Sequence, residues 1–214
     1  LEKNFGKRAI NKHFVGISAN KQRMIDFGIH KDRQFYISDW VGGRFSITSA
    51  MGLPLACMIG MDNFYKFLEG ARLMDMHFKN ESFHLNMPVI LAMLSIYYTN
   101  FYNAQSQAII CYGDKLARFS EFARQLHMES LGKNKKLDGS PVSVNTGNVI
   151  WGGSGSDGQH SYFQLLHQGS QFIPIDFIID ADISGDQENV YSLANCLAQS
   201  ESLMDGNQEK DTER

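Results

Sequence analysis

From residue 87 onward the chain alternates helical periods with short apolar runs, and that alternation admits few architectures. MPVILAMLSIYYTNFY, residues 87–102, carries proline in its first turn, where an unpartnered N–H is not missed, and is apolar nearly all round, so it reads as a buried helix. AIICY, from Ala108 to Tyr112, follows as a strand. A helix is then expected over about Asp114–Ser130, with Leu116, Phe119, Ala123 and Leu126 forming a stripe toward the core. Asn148–Trp151 reads as a strand entering the glycine-rich GGSGSDGQH, a helix is expected over about Gln159–Gln168, and IPIDFIID, residues 173–180, reads as another apolar strand. Helix followed by short buried strand, repeated, is the mark of a parallel sheet covered on both faces, hence of an α/β chain. An amphipathic helix from about Asn189 and a wholly polar tail beyond Gly206 complete the chain.

The first part is sparser. HFVGIS, residues 13–18, and QFYIS, residues 34–38, read as strands, and the second leads into Asp39 and the stretch DWVGGRFSITSAMG, residues 39–52. Open α/β sheets place ligands outside the carboxyl ends of their strands, which is where this stretch falls. Gly42 and Gly43 let the backbone bend tightly and approach a ligand, and Arg44 adds a cation that is never deprotonated. Ser46, Thr48 and Ser49 lie where a loop would pass into a helix and expose its N-terminal N–H groups. Anion binding and a plain Gly-Gly turn with a solvated arginine both fit these residues. From Ala50 to Met76 the pattern is helical, with Phe64, Phe67 and Leu68 at helical spacing, and suits connecting helices without chemistry.

Composition narrows the function. With 43% hydrophobic and 12% aromatic residues, 214 residues suffice for a sizeable core, as one domain or parts of two. A net charge of -3 without a long basic segment gives no support for a nucleic-acid or anionic-membrane partner; Lys133, Lys135 and Lys136 form the one dense basic patch and suit a solvated turn. The longest apolar run falls short of the ~20 residues a bilayer-spanning helix needs. Cys57, Cys111 and Cys196 are odd in number and widely spaced, which fits a reducing compartment and a packing role. The first residues lack Met and an apolar signal core, so the sequence reads as processed or cut from something longer.

Two further patterns carry chemistry. Gln125 and Glu129 are one helical turn apart on one face, and Gly132 is placed to end that helix with Glu129 in its last turn. There the negative end of the macrodipole, together with partial burial, would disfavour the charged carboxylate, which suits a general base; a solvated surface charge is the plainer reading. Gly153, Gly155 and Gly158 satisfy GxGxxG between an expected strand and helix, with Asp180 lying 22 residues beyond Gly158, close to a dinucleotide fingerprint. His160 and His167 have no HxxxH or CxxC companion and read as hydrogen-bonded structure, while His127 receives no role.

DWVGGRFSITSAMG resembles the first signature of the glucose-6-phosphate isomerases, also called phosphoglucose isomerases. HMESLGK, residues 127–133, resembles the segment carrying that family's catalytic glutamate, and GSDGQHSYFQLLHQGSQFIPIDF, residues 155–177, the passage after it. Departures are Leu131, where the family usually has asparagine, Gly153 and Ser154 in place of Glu and Pro, and Ser156 and Asp157 in place of Thr and Asn.

The resemblance implies three-layer, doubly wound, mainly parallel sheets of the sugar-isomerase (SIS) type, present as parts of two domains. Residues 1–55 would end the first, 56–87 would be connecting helices, and 88–214 would begin the second. It implies interconversion of glucose 6-phosphate and fructose 6-phosphate through an enediolate, in glycolysis and gluconeogenesis, by a cytoplasmic homodimer needing no metal or organic cofactor. Glu129 would be the base, Arg44 the cation beside the enediolate, and Gln125 and Gly43 substrate contacts. The family's phosphate-binding serine and threonine loop, a histidine from the partner subunit and a C-terminal lysine fall outside these residues, so the chain alone is expected to be an incomplete, inactive piece. A non-catalytic sugar-phosphate binding module and, from Gly153, Gly155 and Gly158, an NAD-binding domain are the alternatives.

Overall fold

The computed structural model describes residues 2–6, 8–180 and 187–206. The polar tail expected beyond Gly206 lies outside the described residues. The chain divides into two compact units, Leu1–Asn86 and Met87–Arg214.

In the first unit, helices α1 (Glu2–Phe5) and α2 (Arg8–His13) precede strand β1 (Gly16–Ser18), helix α3 (Lys21–Asp26) and strand β2 (Gln34–Tyr36). The two strands are parallel, with Gly16 opposite Gln34 and Ser18 opposite Tyr36. Both are shorter than the apolar runs suggest, because α2 extends to His13 and the chain turns after Tyr36. Asn20 caps α3 by accepting from the Arg23 N–H at 3.0 Å, which lets the chain reverse between the strands. Helices α4 (Leu53–Ile59) and α5 (Met61–Asn80) follow, as the helical spacing from Ala50 onward predicts. Of the three apolar residues noted there, Phe64 is buried and Phe67 is exposed. Cys57, expected to pack, is exposed on α4.

In the second unit, α6 (Met87–Phe101) leads to β3 (Ser106–Tyr112), α7 (Phe119–Leu131), β4 (Val149–Ser154), two short helices α8 (Gly155–Gln159) and α9 (Phe163–Gln168), β5 (Ile175–Ile179) and α10 (Gln187–Asp205). The sheet is parallel in the order β4-β3-β5. Alternation along β3 sends its side chains to both faces. Ala108, Ile110 and Tyr112 pack with Phe163 of α9 and Cys196 of α10, whereas Ile109 and Cys111 join Ile150 of β4, with Leu116 and Ala123 packed against them. Helices on both faces of a parallel sheet give three layers. Ala108 and Ile110 are 0% exposed, so this strand is the centre of the core. Each fully buried isoleucine there contributes about 1.5–3 kcal/mol.

Two packing expectations fail in the second unit as well. Helix α6 is not buried: Thr99 is its buried residue, and Leu91, Met93 and Ile96 are 55%, 61% and 54% exposed. Apolar composition records what a helix suits, not whether the same stretch of chain supplies the cover. Phe119 is 39% exposed, because residues 114–116 form a separate 3-10 turn and the helix after it presents Ser120, Ala123 and Leu126 inward instead. No helix among the described residues is long and apolar enough to cross a membrane.

Candidate active site

The first candidate group begins at Gly43, with φ 61° and ψ −159°, a conformation closed to side-chain-bearing residues without strain. A Cβ on Gly42 or Gly43 would meet nothing within 4 Å, so their surroundings are open to a ligand and backbone geometry alone demands the second glycine. Arg44 is half-buried and starts a 3-10 helix, Arg44–Thr48. The neighbouring hydroxyls are committed locally: Ser46 Oγ donates to Gly43 O at 2.7 Å, Thr48 Oγ1 to Phe45 O at 3.0 Å, and Ser49 Oγ to Ser46 O at 2.6 Å. The expected handover to a helix N-terminus is therefore replaced by two 3-10 turns, the second closed by Met51 N–H donating to Ser49 Oγ at 3.2 Å. Beside these committed hydroxyls stand the half-buried Arg44 and the open space at Gly42 and Gly43. Gly52 anchors that turn, since a Cβ there would lie 2.2 Å from Ile47 O and 2.8 Å from the Phe64 ring.

The second group lies on α7. Gly132 ends the helix, its N–H donating to Met128 O at 3.0 Å, and Glu129 stands in the last turn as the spacing predicts. Gln125 Nε2 donates to Glu129 Oε2 at 3.0 Å, so the two side chains share one face and the carboxylate is already oriented. Two parts of the electrostatic expectation need correction. Glu129 is exposed rather than partly buried, and Lys133 Nζ donates to the carbonyls of Glu129 and Ser130, each at 2.7 Å, placing a cation at the negative end of the helix. Beyond this helix, residues 133–141 form a small exposed turn with Lys135 bridging Pro141, in keeping with the solvated reading of its lysines.

The opposite side of α7 borders a cavity of about 480 Å³, lined by Leu91, Ile96, Leu126, His127, Leu131 and Asp176 among others. Leu131 thus faces an apolar space. A Cβ on Gly147 would come within 3.2 Å of its backbone carbon, so the loop before β4 closes directly on the end of α7. Burial pushes the His127 imidazole below its ordinary value, and the neighbouring Asn148 side chain opposes this in part. Nothing in the spacing of His127 marks it, because its surroundings come from α6, β3, β5 and the loop before β4.

The glycine pattern has a different use from the dinucleotide reading. β4 runs on through Gly152 and Gly153, and the following α8 has five residues. A Cβ on Gly155 would fall 2.3 Å from the Tyr112 ring, and one on Gly158 would fall 2.6 Å from Tyr162 Oη. These two glycines admit aromatic rings where a dinucleotide site would admit a pyrophosphate. Asp180, at the end of β5, pairs with Lys115 Nζ at 3.0 Å. His167, read as structural, meets Gln199 Oε1 through Nε2 at 2.9 Å.

Parallel strands in the order β4-β3-β5 with helices on both faces place the second unit among doubly wound α/β proteins. The chain belongs to the phosphoglucose isomerase family, whose model matches residues 1–214. Glucose-6-phosphate isomerase of Stutzerimonas stutzeri (strain A1501) is 48% identical over 217 residues, taking in 100% of this chain and 39% of that relative. The enzyme of the same name from Pseudomonas fluorescens (strain Pf0-1) is 49% identical over 199 residues, 91% of this chain and 36% of the relative. The crystal structure of a glucose-6-phosphate isomerase from Chlamydia trachomatis superposes with a TM-score of 0.78 at 34% identity, covering 94% of this chain and 42% of that one. A hypothetical protein from Thermus thermophilus, at 23% identity and a TM-score of 0.72, shares the fold over 96% of this chain and 52% of its own. The chain thus spans about two fifths of the length of the curated relatives it matches.

Proposed function

We propose that this chain is the part of a glucose-6-phosphate isomerase that supplies its base and its cation. The observation that carries the reading is the Gln125–Glu129 pair, bonded at 3.0 Å on the exposed last turn of α7, in a chain of this family. In the reaction, the Glu129 carboxylate takes the proton from the carbon beside the substrate carbonyl. The C–H electron pair becomes the enediolate double bond, the proton returns to the neighbouring carbon, and the hydroxyl proton passes from the new carbonyl oxygen to the old one, exchanging aldose for ketose. Arg44, which starts the 3-10 turn after Gly43, offsets the charge that develops on oxygen. Gln125 orients the carboxylate and contacts the substrate, and the open turn at Gly43 lets the backbone approach it.

Residues 1–55 are then the end of a first sugar-isomerase domain, 56–87 its connecting helices and 88–214 the start of a second. The whole protein works as a cytoplasmic homodimer on glucose 6-phosphate and fructose 6-phosphate. Glu129→Gln in the full-length protein tests the reading: kcat should fall about 10²–10⁴-fold with KM little changed. Unchanged kcat would remove Glu129 from the base role.

A further inference from the structure

We propose that His127 is a positioning residue, whose neutral imidazole packs beside Asn148 and holds the last turn of α7, with Gln125 and Glu129, against the loop that enters β4. The inference rests on the base role of Glu129 for its functional meaning, and on geometry for everything else.

Asn148 is 7% exposed, and neither its Oδ1 nor its Nδ2 has a well-formed hydrogen bond; the same holds for His127 Nε2. His127 Nε2 and one amide atom of the neighbouring Asn148 satisfy each other most simply, through rotation of the amide or choice of imidazole tautomer. Around them the join is otherwise tight. Thr146 Oγ1 donates to Lys133 O at 2.8 Å, Gly147 abuts Leu131, and Asn100 ties Asn145 through Nδ2 to its carbonyl at 3.1 Å and through Oδ1 from its N–H at 2.9 Å. The 145–148 loop is thus fastened to the end of α7 through Thr146 and Gly147 and to α6 through Asn145, and His127 is the titratable residue of α7 that lines the cavity.

A charged imidazolium would be poorly housed here. Of the cavity walls, α6 presents Leu91, Ala92, Ser95, Ile96 and Thr99, all uncharged. β3 and β4 give Gln107, Ile109 and Ile150, and the loop gives Asn145 and Thr146, again uncharged. β5 presents Asp176, whose carboxylate accepts from Gln107 Nε2 at 2.5 Å. On α7 itself, Arg124 and Glu129 flank His127 in sequence and are exposed. Burial disfavours the charged ring, in agreement with its lowered value. The stabilising contribution of His127 is therefore complete above the ordinary histidine value of about 6.5, and falls as pH drops through the lower folded value.

Proton NMR of the 214-residue chain, with His127 assigned by the resonance missing in His127→Gln, reads the imidazole directly. Amide exchange in the same samples gives protection factors for residues 128–132, and residues 108–112 report whether the core stays folded. The His127 midpoint should lie below those of the exposed histidines, and protection at 128–132 should drop about tenfold as pH falls through it while the core stays protected. His127→Gln, which hydrogen-bonds without titrating, should hold protection constant with pH. His127→Leu, which fills the apolar space without a polar partner for Asn148, should show the low value throughout. An ordinary midpoint, pH-independent protection in the unaltered chain, or full protection in His127→Leu would each overturn the proposal. None of these readouts involves turnover, so their failure is distinct from failure of Glu129 as the base.

Discussion

Glycines in this chain do three different jobs, and substitution separates them. At Gly155 the space is already filled by the Tyr112 ring, 2.3 Å from where a Cβ would stand. Gly155→Ala should therefore lose about 1–3 kcal/mol of stability in urea unfolding. At Gly153 a Cβ would meet nothing within 4 Å, and alanine there should stay within about 0.5 kcal/mol. Equal effects at the two positions would contradict the packing account of the GxGxxG pattern. Gly43 is the third kind, with open space but a φ of 61°. Gly43→Ala should cost about 1–3 kcal/mol through backbone strain. In the full-length protein it should also displace Arg44 and lower kcat/KM for fructose 6-phosphate; equal stability and activity would show that the turn tolerates a side chain.

At the scale of elements, the end of α7 and the face of α6 carry the testable physics. Lys133 satisfies two carbonyls that the helix leaves unpaired, those of Glu129 and Ser130. Lys133→Ala should weaken the helix end by about 0.3–1 kcal/mol, seen as faster amide exchange at residues 129–132 with the sheet unaffected. Unaltered exchange would mean water replaces the ammonium without loss. On α6, Met93 is 61% exposed and does not line the cavity that Leu91 and Ile96 border, and exposed apolar side chains of this kind favour association. The 214-residue chain should self-associate with rising concentration, and Met93→Lys should reduce this in sedimentation velocity while leaving unfolding within about 0.5 kcal/mol.

For the whole molecule, the 39% share of a similar isomerase's length that this chain covers sets the expectation for activity. Arg44 lies in the unit Leu1–Asn86 and Glu129 in the unit Met87–Arg214, and each unit holds its own group by local structure. The 214 residues alone should show background conversion of fructose 6-phosphate in a coupled assay. Robust turnover would mean that the base and cation suffice without the phosphate loop, histidine and lysine that the resemblance places elsewhere.

Much of this was legible from residue order because it is local. The parallel α/β class follows from the period of apolar residues along each element, and a period needs no tertiary information. Glu129 one turn from Gln125, with Gly132 behind it, is likewise a matter of helical spacing and a capping residue. What residue order left open depends on which distant atoms arrive beside a given side chain. Identical glycine spacing suits a pyrophosphate or a tyrosine ring, and only the approach of Tyr112 decided between them. His127 acquired its character from α6, β3, β5 and Asn148, none of which its neighbours in sequence announce. The exposure of α6 was decided the same way: its composition calls for cover, and three-dimensional arrangement determines whether cover is present. Periodicity is a property of one segment, whereas burial and its electrostatic consequences belong to several at once, and for that reason the elements could be read from the chain and their surroundings could not.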